Sequence, residues 1–77
     1  MRTITGIDAN QLAIGLQRIL LDMKMSGTDL PSISIDKFEN TIQEEHGVSK
    51  RDAEEVTVSI INTGILRWEI FANNFIL

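Results

Sequence analysis

His46 is the one histidine in the sequence, and two carboxylates, Glu44 and Glu45, stand directly before it. An imidazole beside an acid is the commonest proton-transfer pair. Adjacent residues on a helix do not face each other, however, so this spacing does not aim either acid at the ring. His46 falls at the C-terminal end of a predicted helix, where the dipole favours a basic side chain, and that placement accounts for it without catalysis. There is no cysteine, which removes thiolate nucleophiles, thiolate metal sites and disulfide scaffolds. A single histidine cannot build a His-based metal cage. No Ser–His–Asp arrangement is supported by the spacing. The segment from Asp22 to Ile33 echoes a calcium loop, with Asp22 first and Gly27 sixth. Lys24 stands at a ligand position and Ile33 replaces the bidentate acid, so the match fails. No glycine-rich phosphate loop is present. The expectation is a protein that is not an enzyme and uses no cofactor or metal.

What remains is contact chemistry, and charge bears on it first. The 77 residues carry a net charge of −4, with hydrophobic residues at 43%. That apolar fraction is too high for a disordered chain. The length corresponds to a single domain, 1–77, and a chain that begins with Met1 is expected to be a whole small protein. Residues 1–35 are neutral, with Asp8, Asp22 and Asp29 against Arg2, Arg18 and Lys24. Residues 36–77 hold Asp36, Glu39, Glu44, Glu45, Asp52, Glu54, Glu55 and Glu69 against Lys37, Lys50, Arg51 and Arg67. All of the net charge therefore lies in the second half. There is no apolar run of about 20 residues to span a membrane and no signal-peptide h-region. A cytoplasmic location is expected.

Four segments must position these groups. A helix is predicted over Ala9–Met25: Asp8 caps it, Gln11 completes a capping-box pattern, and Leu12, Leu16, Ile19, Leu20 and Met23 form one stripe. Ser26 and Gly27 supply its stop. Pro31 then breaks the chain, and Ser32-Ile33-Ser34-Ile35 alternates as a short strand. Asp36 with Glu39 predicts a second helix over Lys37–His46, which buries Phe38 and Ile42 and stops at Gly47 with Val48 behind it. Ser49 caps a third, Lys50–Thr63, with Ala53, Val56, Thr57, Ile60 and Ile61 inward and Gly64 as the stop. Leu66, Trp68 and Ile70 alternate as a strand, with Trp68 expected in the core and Phe71 exposed as a candidate contact. Asn73-Asn74 is the expected hairpin turn, and Phe75-Ile76-Leu77 the return strand. A terminal helix is the rival reading of this stretch.

The first helix carries a second stripe. Ile14, Leu21 and Met25 fall within roughly 40° of one another, opposite the core stripe, at about 100° per residue. Gly15 nearby costs about 1 kcal/mol of helix propensity against Ala and leaves room for another backbone. Two readings stand: a contact seam for a partner or second copy, or a stripe covered within the chain by the terminal strand or by Ile4 and Ile7.

Helix, strand, helix, tight turn, helix and hairpin is the order of the winged-helix class of helix-turn-helix domains. The chain resembles that class through Ile33-Ser34-Ile35 before the second helix. Phe38, Ile42, Gly47, Val48, Ser49, Ala53 and Val56 match the helix–turn–helix spacing. Ile60-Ile61-Asn62-Thr63-Gly64-Ile65-Leu66 leads into the wing at 66–77. The resemblance implies a small α+β winged-helix-like domain; a mostly α bundle is the alternative.

Winged helices serve both DNA binding and protein contact, and fold alone does not choose between them. The DNA reading would insert the third helix, with Arg51, Ser59 and Asn62 on bases and Lys50 and Arg67 on phosphates. Glu54 and Glu55 would then face the phosphates, although duplex affinity depends on neutralising them. The favoured expectation is a regulatory binding protein that works through protein–protein contacts, as a partner of another protein or as a homodimer. Its candidate surfaces are the seam Ile14, Leu21, Met25, the exposed aromatic Phe71, and the acidic face Glu44, Glu45, Glu54, Glu55, which suits a basic partner.

Overall fold

The computed structural model describes residues 6–77. Its elements run α1 (Ala9–Met25), β1 (Ile33–Ser34), α2 (Ile35–His46), α3 (Lys50–Asn62), β2 (Arg67–Glu69) and β3 (Asn74–Ile76). The chain is thus a mixed α+β domain in the order helix–strand–helix–helix–hairpin, compatible with winged-helix topology and not a mostly α bundle. Among the described residues, no helix is long and apolar enough to cross a membrane.

Local chemistry sets each boundary. Asp8 takes an extended conformation, and its carboxylate accepts from the amides of Asn10 at 3.0 Å and Gln11 at 3.4 Å. These are two of the amides that a helix start leaves without a partner. At the far end Gly27 has φ 102°. Its amide donates to the Lys24 carbonyl and that of Thr28 to the Met23 carbonyl, the paired bonds of a Schellman ending. The tight turn between α2 and α3 places Gly47 at φ 63° and lets Ser49 cap α3 through the Asp52 amide at 3.1 Å.

The three strands are antiparallel in the order β1-β3-β2, so the last strand in sequence is the middle one in space. Phe75 pairs with Ile33 on one side and Trp68 on the other. Its side chain is wholly buried, with the Phe38 ring edge-on at 5.4 Å and 78°. Directly paired residues share a sheet face, so this face is the floor of the core. Helix α1 contributes Ala13, Leu16 and Leu20 to that core, and α3 contributes Ala53, Val56 and Ile60.

Five expectations are corrected. Helix α2 begins at Ile35 and is capped by Ser34, whose hydroxyl accepts from Lys37 N at 3.3 Å; Asp36 lies inside the first turn instead. The reason is the sheet: the Ile35 amide donates to the Asn73 carbonyl at 3.0 Å, so the chain leaves the ladder at Ile35 and turns at once. The strand expected over 32–35 is accordingly only Ile33–Ser34. The hairpin is present, but its loop is residues 70–73, with Asn74 already paired to Glu69. Trp68 is 46% exposed because it stands on the outer strand of the sheet, past the edge of the core. Ile19 is 51% exposed, since the buried residues of α1 form a narrower arc than the periodicity suggested.

Candidate functional site

The β2–β3 hairpin is built to present its tip. The Glu69 carboxylate accepts from the amide of Phe71 at 3.0 Å and from that of Ala72 at 2.8 Å. One acid thereby satisfies two loop amides and fixes the path of residues 70–73. Asn73 closes the loop at φ 56°, a left-handed conformation that asparagine tolerates better than most residues. Its side-chain oxygen accepts from the Trp68 indole N–H at 3.0 Å. Its amide nitrogen donates to Asp36 Oδ1 at 3.4 Å, while its backbone carbonyl accepts from Ile35. The loop is therefore tied both to its own strand and to the start of α2. On it Phe71 is fully exposed, with Ile70 also largely so. A large apolar side chain held out on an ordered loop is the form a contact anchor takes.

Helix α1 shows its second stripe to solvent. Leu21 is 45% exposed and Met25 86%, with Ile14 close to Leu21 in exposure. The terminal strand does not cover them: β3 is the middle of the sheet, and Ile7 is buried in the core instead. Ile4 lies outside the described residues.

On α3 the spacing of Arg51, Glu55, Val58 and Asn62 sets them in a row opposite the buried stripe, with Glu54 and Ser59 to either side. Lys50, Arg51, Glu54 and Asn62 are exposed, and Glu55 and Ser59 are half-buried. Glu44 and Glu45 are exposed near the end of α2. Arg67 lies apart from this row on β2 and lines a cleft of about 260 Å³ with Lys24, Leu30 and Pro31. His46 lines another, of about 300 Å³, with Ile7, Asp8 and Leu12; the Asp8 carboxylate there is engaged in capping α1. Among the described residues, no group of three or more metal-ligating side chains is clustered.

Two features escaped the sequence reading. Glu39 is buried between α2 and α3 and accepts from the Thr57 hydroxyl at 2.7 Å. The same hydroxyl lies 3.3 Å from the Ala53 carbonyl. Thr57 on an inward face was the visible half of that pair; Glu39 looked like a capping residue. The second feature is the Glu69–Asn73 lock, whose signal was an acid followed two and three residues later by the amides of a turn.

A scan against protein-family models finds no match, and searches of curated proteins and of solved structures find no similar protein.

Proposed function

We propose that this chain is a winged-helix domain that serves as a non-enzymatic, regulatory binding protein, working through protein–protein contacts. The observation that carries the reading is Phe71, fully exposed at the tip of a loop that Glu69 and Asn73 hold in shape. Preorganised aromatic anchors contribute to association because little ordering is left to do on binding. The acidic residues Glu44, Glu45, Glu54 and Glu55 on α2 and α3 offer a second surface, one that favours a basic partner.

The test is affinity capture from the native cell with the wild-type chain and a Phe71→Ser variant. Phe71 makes no contribution to the core, so the variant should keep wild-type stability to within about 0.5 kcal/mol. A protein retained by the wild type and lost by Phe71→Ser is the expected result. Identical capture by both would overturn the role of the tip.

The DNA reading has one observation in its favour: α3 presents Arg51 and Asn62 outward, with Lys50 at its start. The same face carries Glu54 and Glu55, and Arg67 stands away from it beside Lys24. Protein contact is therefore the better reading.

A further inference from the structure

We infer that the outer face of α1 is covered by a second copy of the chain, with the two helices antiparallel about a twofold axis near residues 19 and 20. This rests on the protein-contact reading and names the partner for one of its surfaces. The face consists of Ile14, Arg18, Leu21 and Met25, spaced four, three and four apart, which is the alternation of a coiled-coil seam. Every member is exposed. The seam runs about 16 Å along the helix.

Charge decides both the occupant and its direction. In a parallel pair Arg18 would meet Arg18 of the second copy in the middle of the seam. In the antiparallel pair Ile14 lies opposite Met25 of the second copy at each end, and Arg18 lies opposite Leu21 of the second copy. The arginine stem then covers that leucine while its guanidinium reaches the neighbouring Asp22 of the second copy. The twofold repeats this contact, so one surface satisfies itself twice. Both Arg18 and Asp22 are exposed, and among the described residues neither side chain is held by an ion pair or hydrogen bond. Gly15 flanks the seam beside Asp22, and a Cβ there would meet nothing in its own chain. That open edge admits close approach of a neighbouring helix.

Sedimentation equilibrium of the full chain from micromolar to millimolar concentration should show a monomer–dimer equilibrium. Leu21→Glu should weaken it at least about tenfold while leaving the circular dichroism melt of the dilute monomer unchanged. Arg18→Asp and Asp22→Arg should each weaken self-association, and an equimolar mixture of the two should restore it as a heterodimer. Direction is read by cysteine cross-linking, which the cysteine-free sequence makes clean. Oxidising a mixture of Ile14→Cys and Met25→Cys should give the mixed disulfide in excess over either homodimer. Strict monomers at millimolar concentration, a dimer indifferent to Leu21→Glu, or predominant homodimer cross-links would overturn the inference. If the chain is monomeric yet Phe71-dependent capture persists, the protein-contact reading stands without the dimer. If it is monomeric and capture also ignores Phe71, both fall.

Discussion

A single hydroxyl does much of the polar work inside this domain. Thr57 donates a hydrogen bond to the buried Glu39 carboxylate at 2.7 Å and joins α2 to α3 across faces that are otherwise apolar. Among the described residues no buried side-chain polar atom is left without a partner, so the pair is complete as it stands. Removing one side of such a pair costs more than the bond itself is worth, because the remaining group stays desolvated. Thr57→Val should therefore lower stability by about 1–3 kcal/mol, read from urea denaturation midpoints at constant slope. Thr57→Ser keeps the donor and should lose much less. A loss no larger for Val than for Ser would show that the carboxylate finds water instead.

The helices and the hairpin were legible to different degrees, for different physical reasons. Helix α1 matches its predicted bounds because a capping aspartate, a run of periodic leucines and a terminal glycine all act within a few residues of one another. Gly47 and Ser49 mark the tight turn in the same local way. The start of α2 was misplaced because its cap is settled by a hydrogen bond to Asn73, nearly forty residues away. Trp68 was assigned to the core because alternation identifies a face but not whether that strand lies at the sheet's edge. Of the candidate contacts, Phe71 was visible as an aromatic out of step with the strand; the lock that presents it was not. That lock yields a prediction for the element. Asn73→Ala removes the acceptor for Trp68, the donor to Asp36 and a residue suited to φ 56°. It should cost about 1–2 kcal/mol in thermal or urea unfolding and raise hydrogen exchange at Phe71 and Ala72. Unchanged exchange there would mean that Glu69 holds the tip alone.

For the whole molecule, position matters more than amount of charge. The net −4 is modest, but the acids fall on α2 and α3 while the α1 seam pairs one base with one acid. A surface of that kind repels phosphate and tolerates its own copy. Titration with random-sequence duplex at low ionic strength should show no association up to tens of micromolar. A measurable affinity that falls steeply with added salt would instead support insertion of α3 into DNA.

The central place of β3 also has a meaning for how the chain comes to be folded. Both other strands need it: Ile33 and Trp68 meet only through Phe75. As the chain emerges from a ribosome, α1, α3 and the body of α2 can form from residues already made, while the start of α2 still lacks its bond to Asn73. The sheet must wait for residues 74–76, and its pairing of Ile33 with Phe75 closes a loop spanning more than half the sequence. A chain cut just before Asn74 would lose both pairings at once and leave the Phe38 ring facing an empty floor. Residues 74–76 therefore act as a keystone, and any nascent chain that has not yet reached them presents its core to whatever binds unfinished proteins.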